Sequence, residues 1–261
     1  MNGPSGVIRL KTKEEIEKMR TAGRVVAAAL TEVAASVVPG KTTTLDLDKL
    51  AETVIRTHGA IPSFKGYKGY PNATCIAVNE EVVHGIPGPR PLKEGDIVGI
   101  DLGAILEGYH ADSAITIPVG GVSSEVQRLL KVTREALFVG IRMAVAGNRL
   151  TDISHAIQQY AESYRFSVVR ELVGHGIGRA MHEEPQVPNF GRPGRGPRLE
   201  AGMTLAIEPM VNAGGYGVET LQDGWTIVTK DRSLSAHFEH TVAVTENGPD
   251  VLTLRPGETL P

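Results

Sequence analysis

Cysteine is all but missing from this chain: Cys75 is the only one in 261 residues. Intramolecular disulfides and cysteine-based zinc sites are thereby excluded, and a lone thiol fits a reducing compartment. Long apolar runs are missing too. Val25 to Leu30, the longest near the start, is far too short to span a bilayer, and the polar opening from Met1 to Lys13 lacks the apolar centre of a signal peptide. A cytoplasmic chain with no membrane contact is expected. Charge of one sign is not in excess either. The 27 lysines and arginines against 30 aspartates and glutamates leave a net -3, which gives no electrostatic footprint for DNA. What is present is ordinary globular composition, 41% hydrophobic and 22% charged, in a chain long enough for one sizeable core or two modest ones.

The order of elements repeats. Thr12 and Glu15 form a capping box ahead of Ile16, Met19, Val26, Leu30 and Val33, a helical series that stops before Pro39-Gly40. A second helix is expected from Thr44, with Leu47, Leu50, Ala51, Val54 and Ile55 inward and Gly59 as its stop. Strands are expected at Thr74 to Val78, Ile97 to Leu106 and Ala114 to Val119. Then Ser124 and Gln127 read as another capping box, Asp152 as the cap of a fourth helix, and strands follow at Ser167 to Val173, Thr204 to Ile207, Thr226 to Thr229 and Thr241 to Val244. Gly40 and Gly147 are 107 residues apart, and so are the carboxylates ending Leu92-Lys-Glu-Gly-Asp-Ile-Val-Gly-Ile-Asp101 and Leu199-Glu-Ala-Gly-Met-Thr-Leu-Ala-Ile-Glu208. That shared offset favours an internal duplication over two unrelated turn-plus-strand units. One domain over 1–261 is expected, with halves at about 13–120 and 121–248, an N-terminal extension at 1–12, and Glu183 to Arg198 inserted as a loop or hairpin.

Four acids and a histidine stand out by context: Asp101, Asp112, His175, Glu208 and Glu239. Each acid lies in or beside apolar or small residues, where an ionised carboxylate is costly without a compensating cation. No lysine or arginine lies within those strands. Four carboxylates balance two divalent ions, and an oxygen-dominated set with one imidazole suits Mn²⁺, Fe²⁺, Co²⁺ or Zn²⁺ without choosing among them. Taken singly, each acid reads as a surface or turn residue, Asp112 in Tyr109-His-Ala-Asp-Ser113 most of all.

The flanking words decide otherwise. Asn79-Glu-Glu-Val-Val-His-Gly-Ile-Pro87, Ile100-Asp-Leu-Gly-Ala104, His110-Ala-Asp-Ser113, Gly174-His-Gly-Ile-Gly178, Met181-His-Glu-Glu-Pro185, Ile207-Glu-Pro-Met210 and Phe238-Glu-His-Thr241, in this order, closely resemble type I methionine aminopeptidases from about Lys13 to Gly248. The resemblance implies an α/β (α+β) pita-bread fold: two related halves about a pseudo-two-fold axis, with central antiparallel sheet and outer helices. It implies a metal-dependent aminopeptidase that removes the N-terminal methionine from nascent proteins and prefers a small second residue. Carried over, Asp101 would chelate one metal, His175 and Glu208 the other, and Asp112 and Glu239 would bridge them. His84 and His182 would contact the substrate near the scissile amide, and Glu208 would shuttle a proton.

Tyr67, Tyr70, Cys75 and Trp225 match the family's methionine pocket, for which an apolar, partly aromatic lining is expected. Lys68, Met181 and Phe64 depart from the residues usual in relatives and lie around that pocket rather than among the ligands. The short extension before Lys13 fits the short type, and a monomer is expected. The loop Gly191-Arg-Pro-Gly-Arg-Gly-Pro-Arg198 reads as a solvated hairpin tip; a transient contact with ribosomal RNA is its sharper reading, tested by salt-dependent co-sedimentation with and without Arg192 and Arg195. Three alternatives stay open: a zinc pair at His237 and His240, an Xaa-Pro aminopeptidase of the same fold, and a metal-free binding protein that has lost the activity.

Overall fold

The computed structural model describes residues 6–259, so the first five residues of the N-terminal extension lie outside the described residues. In chain order the elements are α1 (Lys13–Ala35), α2 (Thr44–Thr57), β1 (Ile61–Pro62), β2 (Thr74–Val78), β3 (Glu81–Val83), β4 (Ile97–Leu106) and β5 (Tyr109–Pro118). They continue with α3 (Ser124–Arg142), α4 (Leu150–Ser163), β6 (Ser167–Val168), β7 (Gly174–Gly176), β8 (Glu183–Val187), β9 (Thr204–Ile207) and β10 (Met210–Asn212). The last are β11 (Val218–Thr220), β12 (Ile227–Thr229), β13 (Ser235–His237), β14 (His240–Thr245) and β15 (Gly248–Val251). No helix among the described residues is long and apolar enough to cross a membrane.

The capping box read at α1 is formed. The Thr12 N–H donates to Glu15 Oε2 at 2.9 Å and the Glu15 N–H donates to Thr12 Oγ1 at 3.3 Å, satisfying two donors that the first helical turn leaves over. From there Met19, Ala22, Val26, Leu30 and Val33 are fully buried on one face, which packs on β4 and β5. Gly23 on that face has no room for a side chain: a Cβ there would overlap the Leu252 carbonyl, so the helix rests directly on the C-terminal segment.

All strand pairings are antiparallel. In the first half β4 pairs with β1 and β2 along one edge and with β5 along the other. In the second half the order is β15-β14-β9-β7-β8, and two three-stranded sheets, β13-β10-β6 and β11-β12-β3, flank them. The halves meet where β5 lies beside residues 237–241. There the Glu239 N–H donates to the Ala114 carbonyl at 3.0 Å, the Thr116 hydroxyl donates to the His237 carbonyl at 2.8 Å, and the Asp112 N–H donates to Thr241 Oγ1 at 2.9 Å.

Several local expectations need correcting. β5 starts at Tyr109 and not Ala114, because the two-residue turn Glu107-Gly108, with both residues at positive φ, returns the chain early. Asp112 is therefore a strand residue and not a turn. α3 is capped by Ser123, whose hydroxyl accepts from the Val126 N–H at 3.3 Å, and not by Ser124 with Gln127. Asp152 sits inside α4 and accepts from the Arg149 N–H at 2.8 Å. The strand expected over Ser167 to Val173 ends at Val168. Within the segment expected as a loop or hairpin, Glu183 to Val187 forms β8 against β7. In the arginine-rich loop beyond it, Arg198 donates to the Gly147 carbonyl at 3.0 Å and thereby helps tie the loop to the turn before α4.

Candidate metal centre

Strand alternation sets the first two acids. Asp101 on β4 shares its face with Gly99 and Gly103, while Ile100 and Leu102 point to the core on the other. Across the ladder Gly103 pairs with Asp112, so the two carboxylates sit diagonally on one face. His175 lies between Gly174 and Gly176, where a Cβ would overlap the carbonyls of Ala206 and Glu184 respectively. The glycines let β7 press against its neighbours and bring the imidazole inward. Glu208 follows β9, and Glu239 sits in the step between β13 and β14.

These five residues line one cavity of about 320 Å³. Ligand atoms of Asp112, His175 and Glu239 all lie within 4.8 Å of one another. His175 Nε2 is 3.6 Å from one Glu208 oxygen, and His237 Nε2 is 3.6 Å from the other. Burial, and then the repulsion of their neighbours, pushes the carboxyls of Asp101, Glu208 and Glu239 well above the ordinary carboxylate range. Burial raises Asp112 to about 7. No lysine or arginine is bonded to any of the four among the described residues. Asp101 Oδ1, Asp112 Oδ1, Glu239 Oε1 and His237 Nε2 are buried with no hydrogen-bond partner. Such orphaned acceptors, converging with a neutral imidazole, are what divalent cations satisfy, so the donor set fits a metal centre.

Two more histidines close the cavity. His84 adopts a left-handed backbone, φ 59°, and is followed by Gly85, where a Cβ would overlap the Ile76 carbonyl. Burial lowers the His84 pKa, and burial with His175 and Lys68 nearby lowers that of His182 to about 3, so both rings are neutral near pH 7. His182 stacks on Tyr67, and its Nδ1 is 2.9 Å from the Tyr67 hydroxyl. With Tyr67 O–H as donor to Nδ1, His182 keeps its proton on Nε2. Tyr67 thus holds the His182 ring as well as forming a wall, a contact the sequence does not reveal.

The wall is apolar: Phe64, Tyr70, Cys75 and Met181 form a buried cluster on which Trp225 packs. The Trp225 and Tyr70 rings meet edge to face with centroids 5.1 Å apart. The Tyr70 hydroxyl lies between the Thr74 and Gly85 carbonyls at 3.0 and 2.9 Å, which satisfies its polar end. Burial and the nearby Asp101 push the Cys75 thiol pKa up, so it stays protonated and behaves as a small apolar group. All eleven site residues expected from the sequence, and the three departures Phe64, Lys68 and Met181, line this cavity. Sequence reading missed Glu171, Leu172 and Val173, which line it too. The charged pair Arg170-Glu171 interrupting an apolar run was the available signal. The alternative zinc pair does not assemble: His237 faces Glu208, whereas His240 Nδ1 contacts Thr253 Oγ1 at 2.9 Å on the far side.

Comparison with known proteins gives one answer. The sequence model of metallopeptidase family M24 matches residues 17–246. A methionine aminopeptidase of Clostridium perfringens is 57% identical over 248 residues, 95% of this chain and 99% of that one. The solved methionine aminopeptidase of Thermotoga maritima superposes with a TM-score of 0.93 at 51% identity, covering 95% of this chain and 99% of that one. A prolidase of Pyrococcus furiosus shares the fold, with a TM-score of 0.77 at 24% identity over 94% of this chain and 65% of its own.

Proposed function

Since this chain belongs to metallopeptidase family M24 and, within it, to the methionine aminopeptidases, we propose that it works with two divalent metal ions. Removal of an N-terminal methionine is its activity; the number of ions, the residue roles and the preference for a small second residue are what is proposed. Asp101 would hold one ion, His175 and Glu208 the other, with Asp112 and Glu239 shared. The observation that carries this is the convergence of four carboxylates, Asp112 and Glu239 buried and Asp101 and Glu208 half-buried, to which no lysine or arginine is bonded among the described residues. Bound ions would supply a Lewis acid for the scissile carbonyl and lower the pKa of attacking water.

The chain's own residues do the rest. Neutral His182 directs Nε2–H toward the peptide, and neutral His84 offers a second polar contact without adding charge. Glu208, flanked by His175 and His237, is placed to take a proton and return it to the leaving amine. Phe64, Tyr70, Cys75, Met181 and Trp225 receive the unbranched thioether side chain. His84 and His182, with the ions when bound, would crowd the next subsite, which favours a small second residue.

The test is methionine release from Met-Ala-Ser and Met-Leu-Ser by chelated protein titrated with Mn²⁺, Co²⁺, Fe²⁺ or Zn²⁺. Metal-restored release, at least about tenfold faster for Met-Ala-Ser, is expected. Equal rates on the two would sink the small-residue reading, and cleavage of Xaa-Pro peptides alone would move the chain to the proline-specific branch. Trp225→Ala is expected to raise KM for Met-Ala-Ser about tenfold, some 1.4 kcal/mol of lost contact. Unchanged kinetics would remove Trp225 from the pocket.

A further inference from the structure

Behind the metal centre lies a second buried polar cluster that the reaction does not use. It is built by residues 252–258, the segment that follows β15. The Arg255 and Glu258 side chains are 11% and 8% exposed, and His240 and Thr253 are fully buried. Arg255 Nη2 donates to Glu258 Oε1 at 2.7 Å, and Arg134 reaches the same carboxylate at 3.3 Å. His240 Nε2 is 3.4 Å from Glu258 Oε2.

Two relays lead from this cluster to the shared acids. In one, Arg255 Nη1 donates to Ser113 Oγ at 3.2 Å, and the Ser113 hydroxyl donates to the carbonyl of Glu239. In the other, the Thr241 N–H donates to Thr253 Oγ1 at 3.1 Å. The Thr241 side chain in turn accepts from the Asp112 N–H at 2.9 Å and donates to the Asp112 carbonyl at 2.8 Å. Ser113 follows Asp112, and His240 follows Glu239. Each acid therefore has its backbone tied to the opposite half of the molecule, and both ties end on the C-terminal segment.

We infer that Arg255 and Glu258 are positioning residues of the metal centre: the segment 252–258 is a clasp that fixes Asp112 and Glu239 relative to each other from behind. This rests on the reading of those two acids as metal ligands. Packing reinforces the geometry, since Gly23 of α1 lies directly on Leu252 and holds the segment against the sheet. Outer groups that orient ligands typically change metal affinity by about 10–100-fold when removed. A clasp between the two halves acts on their spacing, so its loss should weaken metal binding and turnover more than it weakens substrate binding.

The experiment is calorimetric titration of the metal-stripped full chain with Mn²⁺, with melting temperatures measured in parallel. Wild type is compared with Arg255→Ala, Arg255→Lys, Glu258→Gln and Asp112→Asn. Arg255→Ala is expected to raise the Mn²⁺ Kd about 10–100-fold and to lower kcat more than it changes KM. Arg255→Lys keeps the charge but cannot fork between Ser113 and Glu258, so it should recover part of the affinity. Glu258→Gln should weaken binding by about tenfold or less, and it decides the matter if Arg255→Ala does not fold. Ile157→Ala, a core change in α4 remote from the clasp, should lower the melting temperature and leave the Kd unchanged. Wild-type affinity in both clasp variants, with affinity lost in Asp112→Asn, overturns the clasp alone. An equal loss in Ile157→Ala overturns it as well, as general loosening. Wild-type affinity in Asp112→Asn overturns the metal reading and the clasp with it.

Discussion

Asp112→Asn is expected to cut methionine release from Met-Ala-Ser at saturating Mn²⁺ by at least about 10³-fold, equivalent to about 4 kcal/mol of barrier. Asparagine keeps the shape of the side chain and removes one negative charge and one anionic donor from the set proposed to hold two divalent ions. Asp112 Oδ1 is one of the orphaned atoms, so no neighbour replaces it. The backbone ties to Thr241 are independent of the carboxylate and should keep the fold intact. Steady-state kinetics with the metal content of each sample measured would decide; residual activity within tenfold of wild type would take Asp112 out of the ligand set.

Stripped of metal, the chain should lose stability as pH rises from about 6.5 to 8.5. The sign follows from where each group titrates in the two states. Asp112 goes from 3.8 to about 7 on folding, and burial and mutual repulsion raise Asp101, Glu208 and Glu239 as well. The folded state then holds protons that the unfolded chain has released, so each acid favours folding fully only at low pH and its contribution fades as pH climbs through its folded value. The buried imidazoles act the other way. His175, His182 and His237, lowered to about 4, 3 and 3, add stability up to their unfolded value of 6.5 and nothing beyond it. Above pH 6.5 only the acids remain, and the slope is downward. Each kcal/mol lost should appear as about 2–4 °C in Tm for a chain of this size, and a total fall of at least about 5 °C is expected. Saturating Mn²⁺ should remove the slope, because binding favours the ionised acids. Melting curves in EDTA and in Mn²⁺ give the answer; a metal-free Tm that is flat or rising over this window would show that the acids ionise at no cost.

How much of this was legible beforehand varies with the physics of each part. α1 carries a capping box and a full helical stripe within its own residues, and β4 and β9 carry mostly apolar runs, so local pattern placed them to within a residue or two. β7, β10, β11 and β13 are three residues each, too short for any period to show, and they exist because neighbours supply the ladder. The start of β5 was misplaced because His110 and Asp112 interrupt the apolar run: Asp112 lines the cavity, and His110 Nδ1 lies 3.0 Å from Ser63 Oγ. The four acids were visible as charges in apolar surroundings, and His175 stood out beside them. The Tyr67–His182 hydrogen bond and the tie of Arg255 to Ser113 join residues 115 and 142 positions apart, and no local window contains them.

The seam between β5 and residues 237–241 bears on ancestry. Asp101 and Asp112 come from the first half, and His175, Glu208 and Glu239 from the second. Neither half alone holds all four carboxylates: the first lacks the imidazole, and the second lacks Asp101 and Asp112. A forebear with a single copy would have had to pair with another copy of itself to own a working centre. Joining two such copies end to end would replace a concentration-dependent encounter by a permanent one.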